Sequence, residues 1–327
     1  MNRALEVAVR ASVGAVAAAA VAVFLPIAFG LMPDRFFGAS CTAGEALGTR
    51  LACYRFMWNT ITVGVFIGII GPMIGTFLVH REMALIGETL AHTAFAGVAF
   101  GTLLFAGTGW DVRLLLVALG AAIVGALGVQ ALAKRTGSYG DVPIAIVLTG
   151  SFALGTLFID LGGGFAFVDI NSYLFGNISI TDDRSVTLMA LVSLAVVVVV
   201  SLAYKQLLFI TFDERAARVA RVPVAGYNGL LIVLTALVIV GSMQILGVIL
   251  VAAMLVVPVA AASLVAGSFR ETLYTSIVVG EFAVLSGLVL SWLFELRPGG
   301  TIVVVAIACY LLAVVRTGRT GSAPTSH

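Results

Sequence analysis

The chain has 327 residues, of which 61% are hydrophobic and 10% charged, and its mean hydropathy is +1.15. Soluble domains run near roughly 45–50% apolar and about 25% charged, so a water-soluble globular protein is excluded. The polar residues are too few to cover a compact body, and the excess apolar surface needs lipid as its solvent. Eighteen Lys and Arg against sixteen Asp and Glu leave a net charge of +2 and no basic tract, which argues against a nucleic-acid partner.

Arg3 and Arg10 precede a first apolar run at 11–32. It is longer than the roughly 7–15 residues of a signal-peptide core, so it reads as a retained span. Further apolar runs follow at 56–79, 83–107, 114–133, 142–161, 185–204, 228–242, 245–266, 272–294 and 301–315. The sequence thus predicts an all-α polytopic membrane protein of about ten spans, since about 20 apolar residues cross the hydrocarbon core and a helix satisfies its own backbone there. Nine spans result if 228–267, which carries no charge and only Gly241, Ser242 and Gln244 as turn signals, forms a single element. With the N-terminus inside, ten spans place twelve of the eighteen Lys and Arg on the cytoplasmic side, in accord with the positive-inside rule. Both termini are then cytoplasmic. Gly64, Gly68, Gly71 and Gly75 give one run the small-residue spacing of close helix packing.

Charged residues inside spans are costly and mark paired, wet or functional positions. The clearest are Glu88 and His92, four residues apart and so on one helix face. A carboxylate and an imidazole at that spacing form half a site for a divalent transition metal, or else a polar pair bridging two helices. Further ligands could come from Asn59, Met243, Gln244 or Glu281; Asp160 lies near a span end and ranks lower.

Between two spans, Thr211 with Glu214 has the spacing of a capping box. Ala216, Ala217 and Ala220 favour helix, and Pro223 ends it. This predicts two to three helical turns outside the membrane, with Arg215, Arg218 and Arg221 as a basic stripe suited to anionic lipid or to a cytoplasmic partner.

These segments carry a resemblance. His80-Arg-Glu-Met-Ala-Leu-Ile-Gly-Glu-Thr-Leu-Ala-His, Ser172-Tyr-Leu-Phe-Gly-Asn, Phe212-Asp-Glu with Ala220-Arg-Val-Pro, and Met243-Gln-Ile-Leu-Gly through to Pro258 stand in order. From about Phe56 to Val315 the chain resembles the membrane permease of the ATP-binding-cassette uptake systems for zinc, manganese and iron, with a type II importer fold. The resemblance implies one permease domain over 1–327, with an extra N-terminal span and outer loop at 1–55, a coupling-helix loop at 205–226 and a flexible tail at 316–327. It implies a homodimer of permeases, a cytoplasmic ATP-binding subunit that supplies the energy, and an extracytoplasmic metal-binding protein that supplies the ion. No permanently bound cofactor is expected; the transported Mn, Zn or Fe is the substrate. Phe212, Asp213, Glu214, Arg215, Arg218 and Arg221 fall in the coupling segment. Glu88 and His92 fall on the family's acidic and His positions, and Asn59 on a position where relatives carry Asn. The family usually has Asp and Ser where Glu88 and Ala91 stand, and favours Gly where Arg221 stands.

The chain is not itself an enzyme by this reading, because no phosphate-binding loop of the Gly-x-x-x-x-Gly-Lys-Ser/Thr type occurs. Cys41 and Cys53 share the predicted outer loop, where a disulfide and two free thiols are both open; Cys309 lies in the last span. Two alternatives remain: a permease for metal chelates of the cobalamin or siderophore kind, and a proton-coupled transporter using Glu88, His92 and Glu281.

Overall fold

The computed structural model describes residues 23–32, 34–46, 53–108, 114–136, 141–162, 174, 176 and 183–320. Among them the regular structure is helical, with no strand. In chain order the helices are α1 (Asp34–Ala46), α2 (Arg55–His80), α3 (Ala84–Thr108), α4 (Leu114–Thr136), α5 (Asp141–Leu161) and α6 (Asp183–Phe212). A short α7 (Glu214–Val219) comes next, then α8 (Val224–Leu246), α9 (Val248–Ser263), α10 (Phe269–Leu293) and α11 (Pro298–Thr320). Eight of them, α2 to α6, α8, α10 and α11, are long and apolar enough to cross a membrane, and α9 is a shorter apolar helix. Exposed Leu, Val, Ile and Phe on α4, α5, α10 and α11 give the bundle its apolar exterior. The protein is an integral membrane protein. Nine of the ten apolar runs read from the sequence are therefore helices. The first, 11–32, falls largely outside the described residues. Its visible end is helical at 23–28 and is held to α6, where the Thr187 hydroxyl donates to the Ala28 carbonyl at 2.7 Å.

Local chemistry explains why these segments end where they do. The turn expected at Gly241, Ser242 and Gln244 does not form: Ser242 returns its hydroxyl to the Val238 carbonyl, and α8 continues through all three positions. The break comes at Gly247, whose φ of 86° and ψ of 149° lie in a region open only to glycine. Its N–H still reaches the Met243 carbonyl at 2.9 Å, so the interruption leaves little backbone unsatisfied. Beyond this break, α9 has 16 residues, about 24 Å and short of a full crossing. At the other extreme, α6 has 30 residues, about 45 Å, so its last turns project beyond the hydrocarbon. α11 likewise runs past the expected limit at 315 to Thr320.

Among the described residues, three other than glycine have positive φ: Glu82 at 57°, Arg221 at 60° and Glu295 at 52°. Each closes a helix by the same device. The N–H of the next residue reaches back five positions, Met83 to Leu78 at 2.9 Å, Val222 to Ala217 at 3.0 Å and Leu296 to Ser291 at 2.8 Å. This is the Schellman closure, which places one left-handed residue just past the helix and satisfies its orphan carbonyls.

The centre of the bundle is α2, buried along almost its whole length and packed against α6, α8, α9 and α10. Its glycine stripe makes this possible. A Cβ on Gly64 or Gly68 would meet Val284 or Glu281 of α10, and on Gly75 would lie 1.9 Å from the Leu255 carbonyl oxygen of α9. Buried hydroxyls on these helices are satisfied by carbonyls one turn back, as at Thr76 to Pro72 and Thr235 to Leu231, both 2.7 Å. A second group, α3, α4 and α5, packs mainly on itself and meets the rest through α8 and α9.

The N-terminal segment joins the start of α2. Cys41 and Cys53 are bonded, which closes the loop between α1 and α2. Phe36 stacks edgewise on Trp58 at 5.1 Å, and the Arg55 guanidinium lies 5.7 Å from the Phe37 ring centre.

The close approach at Gly75 gives the first prediction. Gly75→Val forces the α9 backbone away, at the upper end of the roughly 1–3 kcal/mol of overpacking, whereas Gly120→Ala meets nothing within 4 Å. In detergent-purified protein, a lowered thermal midpoint and loss of the monodisperse peak are expected for Gly75→Val alone. Equal behaviour of the two variants would contradict the packing described.

Candidate metal site

Glu88 and His92 lie one and two turns into α3, on its Leu85–Glu88–His92 stripe rather than on its buried face. Counting 1.5 Å per residue puts them about 6 and 12 Å from the end of the bundle that carries α7. The Glu88 side chain is 49% exposed, on a stripe where Leu85 and Phe100 are also exposed. His92 Nε2 stands 3.9 Å from Glu88 Oε1, its ring packs edgewise on Phe152 of α5 at 5.2 Å, and its Nδ1 is buried without a hydrogen-bond partner. At 3.9 Å the two atoms are not hydrogen-bonded. Two ligands of one tetrahedral ion would be about 3.4 Å apart with bonds near 2.1 Å, so a small side-chain rotation brings both onto a common ion. Among the described residues, the one group of three or more His, Cys, Asp or Glu ligand atoms within mutual reach is Cys41, Glu45 and Cys53, and its sulfurs are tied in the disulfide. Within the described part of its own chain, therefore, the Glu88–His92 pair has no third ligand of these types.

The other sequence candidates are not brought to it. Asn59 lies at the far end of α2, where its Nδ2 donates to Asp183 Oδ1 at 2.9 Å while Arg55 pairs with Asp183 Oδ2 at 3.1 Å. Helix rise places it about 25 Å along the bundle from Glu88. Met243 is fully buried near the far end of α8; the Gln244 side chain lies outside the described residues, as does most of the motif at 172–177. Glu281 sits halfway along α10 against Gly68, with Oε1 buried and unpartnered. α10 packs on α2, α9 and α11, whereas α3 packs on α4, α5, α8 and α9, so the two carboxylates belong to different helix groups.

At the α7 end the sequence reading of the cap is corrected. Asp213, not Thr211, caps α7: its Oδ1 accepts the Ala216 N–H at 2.8 Å, while Thr211 donates to Leu207 within α6. α7 has six residues, fewer than two turns, instead of two to three. Phe212 and Val219 are 67% and 86% exposed, and Arg215, Arg218 and Arg221 are exposed beside them. The three arginines do not form one helical stripe, because Arg221 stands past the helix in the left-handed conformation. Glycine adopts that conformation with the least strain, and here an arginine occupies it.

The sequence reading missed Arg81. Its side chain is only 7% exposed and Nη2 lies 3.5 Å from Glu214 Oε2, while Glu214 also holds Arg218. Burial pulls the Arg81 guanidinium below its ordinary pKa, and the Glu214 carboxylate opposes that shift. These groups border a cavity of about 1260 Å³ reaching Ile86 and Thr89 of α3, Gln130 of α4 and Asn228 of α8. Glu88 and His92 do not line it; the pair and the cavity occupy different faces of α3.

Comparison with known proteins agrees with this architecture. Residues 53–317 match the model of the ABC 3 transport family. The chain belongs to that family. A manganese transport system membrane protein, MntC, of Halalkalibacterium halodurans is 29% identical over 272 residues, covering 83% of this chain and 91% of the relative. The manganese import system permease protein ScaB of Streptococcus gordonii is 28% identical over 260 residues, covering 80% and 91%. Among solved structures, PsaBC from Streptococcus pneumoniae in complex with Fab superposes with a TM-score of 0.71 at 30% identity, covering 80% of this chain and 91% of that one. The match begins at residue 53, so the N-terminal segment with α1 lies outside the family region.

The position of Asn59 is testable. Asn59→Ala removes a donor from the half-exposed Asp183, which keeps its pair with Arg55, a loss of about 0.5–1.5 kcal/mol, and should lower the thermal midpoint of the purified protein. Any further stabilisation that Mn²⁺ gives the wild-type protein should be unchanged in the variant. Loss of that metal-dependent increment would place Asn59 among the ligands.

Proposed function

We propose that this chain is the membrane permease of an ATP-driven importer of divalent transition metal ions, and that Glu88 and His92 are its half of a transient ion site. The observation that carries the reading is the pair itself: a half-exposed carboxylate and, one turn on, a mostly buried imidazole at the edge of the same apolar stripe, with no third His, Cys, Asp or Glu within reach in the described chain. A charged group on a lipid-facing flank is unfavourable, by up to about 2.5–3.5 kcal/mol at the membrane centre and by less at the depth of Glu88, one turn from the bundle's end. A second copy of the chain, docked on α3 and α5, removes that cost and completes the site. Two Glu88–His92 pairs then face each other and offer two carboxylates and two imidazoles to one ion, a donor set suited to Mn, Zn or Fe. Ligation by few groups suits conduction, because the ion must leave as readily as it enters.

Membership of the ABC 3 transport family supports the energy source, and the names of the relatives support manganese as the first ion to test. In this reading the α7 end is cytoplasmic. Phe212, Asp213, Glu214, Arg215, Arg218 and Arg221 form the knob that a separate ATP-binding subunit grips, with the exposed Phe212 and Val219 as its apolar part. An extracytoplasmic metal-binding protein delivers the ion at the opposite end, near Asn59 and Asp183. The chain's place is the plasma membrane, with both termini inside.

Cellular metal content, measured by mass spectrometry in cells expressing the chain with its ATPase and binding protein, tests this. A rise in one transition metal, manganese first, is expected for the wild type. Glu88→Gln and His92→Ala should each reduce that rise at least tenfold at equal membrane abundance. A rise that survives both variants would remove the pair from the path, and no rise in any metal would overturn the assignment of substrate.

A further inference from the structure

Resting on the reading above, we infer that Arg81 is the strut that carries the movement of α7 to the metal-binding helix α3. α7 itself packs on α6 and α8, the elements that flank it in sequence, and is pinned there by Ile210, Ala217 and Val224. Its polar link to the α2–α3 corner is the ion pair between Glu214 and Arg81. That pair is not an ordinary surface contact. Arg81 keeps only 7% of its side chain exposed, so separating it from Glu214 leaves a guanidinium poorly hydrated at the cavity wall and costs more than the loss of a fully exposed pair.

The corner is built to pass the motion on. Arg81, Glu82 and Met83 are the three residues between α2 and α3. They are fixed by Arg81 N–H to Leu78, Glu82 N–H to Val79 and Met83 N–H to Leu78, and Ile86 N–H bonds back to Met83 at 3.1 Å. No freely rotating linker therefore stands between Arg81 and the first turn of α3. Glu88 is seven residues on from Arg81, one turn into the helix. The cavity beside the pair supplies the room for α3 to shift, since Ile86 and Thr89 face it while Glu88 and His92 face the other way. A displacement of α7 that pulls Glu214 thus swings the start of α3 into or out of the cavity and changes the separation of the two half-sites.

The test uses proteoliposomes containing the permease, its ATP-binding subunit and its metal-binding protein, and reads Mn²⁺ imported per ATP hydrolysed. Arg81→Met should leave ATP hydrolysis within about twofold of wild type and lower the import ratio at least tenfold. Arg81→Lys, which keeps the charge opposite Glu214, should restore the ratio to within about threefold. If Arg81→Met does not give an assembled complex, Arg81→Gln is read by the same criterion. A wild-type ratio in the neutral variant, or a lysine variant as uncoupled as the neutral one, would overturn the strut. A wild-type complex that imports no metal at all overturns the proposed function, and this inference with it.

Discussion

Glu88 stands half-exposed on a helix flank whose other exposed residues are apolar, in a chain that spends most of its length in hydrocarbon. In water that carboxylate would need no explanation. In a bilayer it requires a partner, and among the described residues the chain supplies only His92, one turn away. The proposed pairing of two copies follows from this one unmet requirement. It accounts at once for the outward aim of Glu88 and for the absence of a third ligand of these types among the described residues. A self-contained site would have pointed the same two residues at the bundle core, where the buried side chains of α2 include no Asp, Glu, His or Cys.

The rest of the fold divides into a rigid part and a part with room to move. α2, α9 and α10 are locked by backbone contacts so close that Gly75 has no space for a methyl group. α3, α4 and α5 form a second group, attached mainly through α8 and α9, with a cavity of about 1260 Å³ at the α7 end. The candidate ion ligands ride on the second group, and the segment proposed to grip the ATPase touches it through Arg81. Such an arrangement lets a transporter move its site without unpacking its core.

Much of this was legible in the sequence. Length and hydropathy located nine helices, and the stripe from Gly64 to Gly75 announced the tight face of α2, because both depend on composition and local period alone. Glu88 and His92 stood out because charge in an apolar run is rare. Other features were hidden for definite reasons. The break at Gly247 could not be separated from Gly241, because two glycines in one apolar run look alike until one is seen at positive φ and the other packed against α6. Asp213 was passed over as a cap because Thr211 offered an equally good spacing to Glu214. Asn59 matched a family position, yet its partner Asp183 is 124 residues away, and no local pattern reports such a pairing. Arg81 was counted only as one more positive charge at a span end; its burial against Glu214 exists only once α6 and α7 are folded back on the corner.

Everything proposed for the site rests on one ion being shared between two chains. Electron paramagnetic resonance of Mn²⁺ titrated into the purified permease measures that stoichiometry directly. One bound Mn²⁺ per two chains is expected in the wild type, and none at the same concentrations in Glu88→Gln. One ion per chain, or binding that persists in Glu88→Gln, would contradict a shared site.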